Sequence, residues 1–341
     1  MNATSTGAVH VPRFTVVVGD ETLVETSGRV TSLSVETSLD AASRFTVGLA
    51  GRFDHATGRF TDLDIERFEL GAEATVDLGY DGEPERVFVG RVAGIRASFP
   101  ADGPPALEVN GYGPLYAMTR DSASESWTER TDSEVAADVA GGYDFDATVV
   151  EETGVTRRRI VQNGQNDYRF LQGLAARNGF ECFGHLGTFY FRAPREDADP
   201  ALSLRYGDRL RSFTAERSDA DDVAEVEVRH WDPKAKREIV GTAERETDGD
   251  ARRVLRRPVD SPEEAERIAE AELERLARGT TRASGEATGL PGLVPGEPVA
   301  IGGVGGIGGG DGPTYYVRSV THRVDARSGY RTSFEATEAT A

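Results

Sequence analysis

Between residues 14 and 112, apolar side chains recur at every second position. Phe14, Val16 and Val18 alternate with polar neighbours, as do Phe45, Val47 and Leu49, and again Ala74, Val76, Leu78 and Tyr80. A period of two places one face of each segment in a core and the other in water. Gly19-Asp20 and Asp81-Gly82 supply turn chemistry, and strand character resumes over 87–99 and 107–112. Several short strands without an intervening helix predict a sandwich or barrel. The long polar stretch 51–67 interrupts them, and loops of that length are often functional or interfacial.

The period then changes. Thr131-Asp132-Ser133-Glu134 fits a capping box, and Val135, Ala136, Val139 and Ala140 form the apolar stripe of a short helix that ends at Gly141-Gly142. A second helix starts near Asn166 or Asp167, buries Phe170, Leu171, Leu174 and Ala175, and stops at Gly179, which can take the left-handed conformation. Residues 180–191 read as a hairpin turning at His185-Leu186-Gly187. This is a small α/β unit.

Strands return at 202–204, 210–215 and through Val223, Val226 and Val228, and the charged stretch 232–250 reads as an exposed hairpin or loop. Ser261-Pro262-Glu263-Glu264 offers an N-cap, a proline at the first helical position and a glutamate at the third. Ile268, Ala269, Leu273 and Leu276 form the stripe of that helix, and Gly279 ends it; Glu263–Arg267 and Glu274–Arg278 have the spacing of i, i+4 pairs. Tyr315 and Val317 give way to Val320 and Val324, a phase change that predicts a β-bulge. Tyr330, Thr332 and Phe334 close the chain in strand alternation. The pattern is two β modules flanking an inserted unit.

At 341 residues the chain can bury sizeable cores without a staple, and its lone cysteine, Cys182, excludes an internal disulfide. No stretch approaches the roughly 18 apolar residues of a membrane helix, and the first residues lack a signal-peptide pattern. The net charge is −19, which repels phosphate and argues against stable nucleic-acid binding. Only two of the 39 basic residues are lysine, Lys234 and Lys236. High acidity with scarce lysine reads as the surface of a protein from a salt-loving host, where screening tolerates crowded carboxylates.

No motif carries catalysis. Gly303-Val304-Gly305-Gly306-Ile307-Gly308 matches a dinucleotide fingerprint, but more glycines and then a strand follow, so no helix N-terminus meets a pyrophosphate. The run reads as a glycine loop. Histidines 10, 55, 185, 230 and 322 are scattered without metal spacing, and Cys182 reads as a buried, inert thiol. Asp54, Asp62 and Asp64 fit no ordered calcium loop, and the sequon Asn2-Ala3-Thr4 sits at an extreme terminus. There is no G-x-S-x-G elbow and no Walker A lysine. The expectation is no catalytic residue, no cofactor and no metal.

Residues 70–95 (LGAEATVDLGYDGEPERVFVGRVAGI), 107–115 (LEVNGYGPL), the capped helix at 131–140, 163–192 (NGQNDYRFLQGLAARNGFECFGHLGTFYFR) and the closing segments at 289–301, 315–324 and 329–336 appear in this order. Together they resemble the late control gene D proteins of contractile phage tails and the N-terminal hub module of VgrG spike proteins. One departure is Gly113, where the family often has an acidic residue after Gly111-Tyr112. The resemblance implies a mainly β chain with an α+β insertion. Two tail-tube-like β-barrels, 1–118 and 201–341, the second including helix 262–278, flank an α/β unit at 119–200. It implies a homotrimeric baseplate hub that adapts a hexameric inner tube to a trimeric spike, meets baseplate wedge proteins and lines part of a channel; the net charge of −19 predicts an acidic or neutral rather than basic lining. The particle would be assembled in the cytoplasm as a virion tail or injection system. Because no OB or β-helix segment follows, the spike is expected to be a separate chain. A cell-wall-degrading baseplate enzyme and a surface adhesin are the alternatives.

Overall fold

The computed structural model describes residues 11–339 except 55, 62–66, 81, 83, 219–221, 248–249, 279–280 and 305–312. The N-terminal module comprises β1 (Arg13–Val18), β2 (Glu21–Val24), β3 (Val30–Ser38), β4 (Arg44–Ala50), β5 (Phe53–Asp54), β6 (Arg59–Phe60), β7 (Glu73–Gly79), β8 (Glu85–Ser98) and β9 (Ala106–Tyr112). Val16, Val47, Val76 and Val109 are fully buried in one cluster. Burying each such side chain contributes about 1.5–3 kcal/mol. In sheet order, three strands separate β1 from β4, so the sheet must curl for their side chains to share a core. Gly111 permits a close approach within that sheet. A Cβ there would come within 2.2 Å of the Arg91 carbonyl and 2.6 Å of the Phe45 ring.

The insertion contains β10 (Ser122–Thr131), α1 (Asp132–Ala140), β11 (Ala147–Val150), β12 (Thr156–Asn166), α2 (Asp167–Arg177), β13 (Glu181–His185) and β14 (Thr188–Arg192). The capping box at Thr131 and Glu134 forms as read, and Asn166 caps α2 by accepting from the Arg169 N–H. Gly179 ends the helix at φ +68°, and Leu186 and Gly187, both left-handed, turn β13 into β14. β10 and β12 pair as a ribbon, which the sequence does not announce because β10 is polar on both faces. Its Trp127 stacks on Phe170 of α2, ring centroids 5.4 Å apart.

The C-terminal part comprises β15 (Leu202–Arg205), β16 (Leu210–Arg217), β17 (Val223–Asp232), β18 (Arg237–Glu244), β19 (Ala251–Arg256), α3 (Pro262–Arg278), β20 (Thr281–Thr288), β21 (Pro298–Gly302), β22 (Thr314–Asp325) and β23 (Gly329–Glu338). β17, β18 and β19 form their own three-stranded sheet, and α3 packs on it over a core of Val226, Val228, Ile239 and Ile268. The charged stretch 232–250 is therefore partly a strand of this layer. Ser261 caps α3 by accepting from the Glu264 N–H, and the Glu264 carboxylate accepts from the Asp260 N–H. Of the two i, i+4 pairs, Arg267 stays with Glu263 but donates to its backbone carbonyl, and Arg278 reaches Glu196 instead of Glu274.

The fold is mainly β with small α/β units, and its main sheet curls into a half-barrel. That sheet has thirteen strands and includes strands of both β modules. A buried polar network ties the insertion to α3. Asp132, 1% exposed, accepts from Arg157, Arg177 and Asn178, and Arg157 also pairs with Glu264.

Candidate functional site

The two β modules meet along β22. Its first residues pair with β21, whereas Ser319–Asp325 pair with Ser32–Ser38 of β3. The change of partner falls at Arg318, where the register with β23 also shifts between Val317 and Ser319. This is the bulge expected from the alternation, and it turns the strand from one module into the other.

Arg318 is bonded on every side at this bulge. Its carbonyl accepts from the Leu39 N–H at 3.0 Å. Its Nη2 donates to both oxygens of Asp40 at 3.1 Å, and its Nη1 donates to Glu181 Oε1 at 3.2 Å. Glu181 Oε2 accepts from the Tyr316 hydroxyl at 2.7 Å. Burial raises the Glu181 pKa, opposed by the Tyr316 hydrogen bond and the Arg318 charge. Beside it, Arg192 donates to the Gly296 carbonyl at 3.0 Å and lies 5.3 Å from the Phe183 ring centre. Gly296 has φ +84°, and a Cβ there would come within 2.8 Å of the Arg192 guanidinium. One cluster thus joins all three parts of the chain.

The sheet's outward face is polar across this junction. Register places Ser212, Glu286, Ser333, Thr321 and Glu36 in one cross-strand row, and Thr214, Ser284, Glu335, Ser319 and Ser38 in the next. The first row continues through Arg44, Tyr112 and Arg91 on β4, β9 and β8. Arg331 donates to Glu286 at 2.7 Å, and the Arg44 guanidinium lies over Tyr112 at 5.9 Å. The rows from β16 to β3 line a shallow groove of about 470 Å³. The groove itself is lined by hydroxyls and three glutamates, Glu36, Glu286 and Glu335, while Arg331, Arg44 and Arg91 lie beyond it on the same face. Alternation explains it: residues between these positions, such as Val35, Val320 and Phe334, are buried on the other face.

The residues singled out by chemistry fall elsewhere. Cys182 is buried, which pushes its thiol pKa up and holds it protonated. Burial pushes His185 down to about 4 and His322 down to about 3, so both are neutral near pH 7. His322 bonds to Thr332 and Tyr330 at 3.1 Å on the core side. His230 lies on β17; His10 and His55 are outside the described residues. Asp54 caps a turn by accepting from the Ala56 N–H, while Asp62, Asp64 and the sequon Asn2-Ala3-Thr4 are outside the described residues. The stretch 51–67, read as polar, contains the β5–β6 hairpin, whose Phe53 and Phe60 pack against Phe99. After the glycine run, of which 305–312 are outside the described residues, a strand follows as read. Among the described residues no group of three or more His, Cys, Asp or Glu is placed to hold a metal.

Residues 8–253 match the model of the family described as the Alg8 N-terminal domain. The chain belongs to this family. No curated protein matches the sequence of this family member. Among solved structures, it superposes on the 43 kDa tail protein of prophage MuSo2 from Shewanella oneidensis with a TM-score of 0.76 at 18% identity, covering 96% of this chain and 98% of that one. A tail protein from Neisseria meningitidis MC58 gives 0.73 at 14% identity, with 96% and 97% covered. The E. coli c3393 protein, a component of the type VI secretion system, gives 0.61 at 13% identity, with 95% and 75% covered. At these identities the likeness establishes the fold. The Alg8 N-terminal domain family member therefore has the fold of these tail and secretion-system proteins.

Proposed function

We propose that this chain is a structural, non-enzymatic hub of a contractile tail or contractile injection system, seated between an inner tube and a spike. The observation that carries the reading is the polar face shared by both β modules, unbroken from β16 to β8. A tube component needs a wet wall on one side and a packed core on the other, and this sheet has both. The fold likeness to tail proteins and to a type VI secretion component supports the same role.

In this reading, modules 1–118 and 201–341 flank the 119–200 unit, and each occupies one position around a channel. Three copies then present six modules, which matches a sixfold tube on one side and a threefold spike on the other. Edge strands β2 and β16 would find partners in neighbouring copies, removing exposed edges. The partners are the tube, the spike and the baseplate wedge, as in the gene D and VgrG hubs that the sequence resembles. A wall of hydroxyls and mixed charge in a chain of net −19 lets nucleic acid or cargo pass without stable binding. No described helix is long and apolar enough to cross a membrane. The chain would assemble in the cytoplasm into the particle.

Light scattering and electron microscopy of the purified protein, alone and with its tube and spike, test this. The expected species is a trimer of about three times the 36.7 kDa protomer. A monomer indifferent to both partners, or an assembly whose rotational order is not a multiple of three, overturns the reading.

A further inference from the structure

The β18-β17-β19 sheet lies apart from the shared sheet and is unevenly covered. α3 packs across β17 and β18; Gly241 of β18 lies so close that a Cβ would come within 2.2 Å of the Glu266 backbone nitrogen. β19 lies at the open margin. It pairs with β17 along one edge, and among the described residues no strand pairs with its other edge. Residues 251–254 are exposed, Val254 at 48%, and on the same outer face Trp231 is 59% and Val240 38% exposed.

The charge on this strand is opposite to that of the chain. In a protein of net −19, residues 252–257 read Arg-Arg-Val-Leu-Arg-Arg. Arg252 pairs with Glu225 and Glu227, and Arg253 with Glu272. Arg256 has no carboxylate partner among the described residues, whereas Arg257 lies near enough to Glu272 for its charge to help lower that carboxylate's pKa. Register also sets Arg256 directly beside Arg229, whose own charge is met by Glu227 and Glu238, so Arg256 is left as the cation of this strand open to an added anion.

We propose that β19 is the docking strand for an extended acidic segment of a partner polypeptide, which adds to its free edge as a fourth strand. Backbone hydrogen bonds would give affinity, and the alternating side chains would give selectivity. The complement of this strand is acid-acid-apolar-apolar-acid-acid. Because that pattern is the same in both directions, parallel and antiparallel addition both satisfy it. The assignment does not depend on the tail reading.

The probe is a labelled peptide, Thr-Glu-Glu-Val-Val-Glu-Glu-Thr, titrated with the full chain by fluorescence anisotropy. Saturable binding that weakens with salt is expected, with no binding of the matched lysine peptide. R256E/R257E is expected to weaken binding at least about tenfold, and R256K/R257K to retain it, with melting temperatures confirming that both variants fold. N-methylation of alternate peptide residues should abolish binding, because it removes strand hydrogen bonds. Three results overturn the proposal. One is no saturable binding, which makes the arginines a device against chance edge pairing. Another is equal binding of the N-methylated peptide. The third is self-association of the chain that R256E/R257E removes, which assigns the edge to a second copy.

Discussion

Arg318 and Asp40 are 278 residues apart in sequence, yet one guanidinium nitrogen of Arg318 donates to both carboxylate oxygens of Asp40 at 3.1 Å. The pair sits where β22 leaves β21 for β3, and the same arginine holds Glu181 of the insertion. A single side chain therefore touches all three parts of the protein at the one strand they depend on.

The two contacts of Arg318 differ in value. The Asp40 side chain is 68% exposed, and an exposed pair is worth at most about 1 kcal/mol. Glu181 is buried, so removing its cation leaves a poorly solvated carboxylate. D40A should cost under about 1 kcal/mol in urea unfolding, and R318A about 2–3 kcal/mol. Equal losses would place the stabilising contact on Asp40 instead.

Asp132 is the sharper case. It is nearly inaccessible and accepts from two arginines and an asparagine. D132A strands buried guanidinium groups and should cost about 3–5 kcal/mol. Arg157 also pairs with Glu264, so the loss should loosen α3 as well as the insertion. Hydrogen exchange would register this as reduced protection in both places; a change confined to the insertion would mean the network does not couple them.

Gly241 tests how closely α3 seats on β18. An alanine methyl would meet helix backbone, which cannot rotate away as a side chain can. G241A should destabilise by about 1–3 kcal/mol through overpacking. An unchanged melting temperature would show the helix yields freely.

Acid should weaken the fold through its buried imidazoles. His185 and His322 are pushed down to about 4 and about 3, so below about pH 6.5 the unfolded chain binds protons that the folded chain refuses. Their contribution is complete above pH 6.5. It is lost as pH falls, by about 1.4 kcal/mol per unit for each histidine, until the folded values are reached. Glu181, raised by burial, acts in the opposite direction: its contribution falls as pH rises past the ordinary carboxylate range. Urea unfolding between pH 7 and 4 should show a shallower slope for H322Q than for the native chain. Parallel slopes would remove His322 from the account.

Local structure was legible in the order of residues. Alternation fixed which side of each strand is buried, as Val35 against Glu36 shows. Thr131, Asn166 and Ser261 started the three helices, and the phase change after Val317 marked the bulge. These depend on neighbours within a few residues, whose geometry the backbone repeats impose. Tertiary structure alone decided which strand lies beside which. A period of two names a face but not a partner, so nothing local told β22 to join β3, or set β17–β19 apart with α3. Side chains followed the same division: Arg278 had Glu274 in reach along its helix and went to Glu196 instead. The polar face acquired its meaning the same way, because Ser, Thr and Glu scattered along five strands become one surface only when register lines them up.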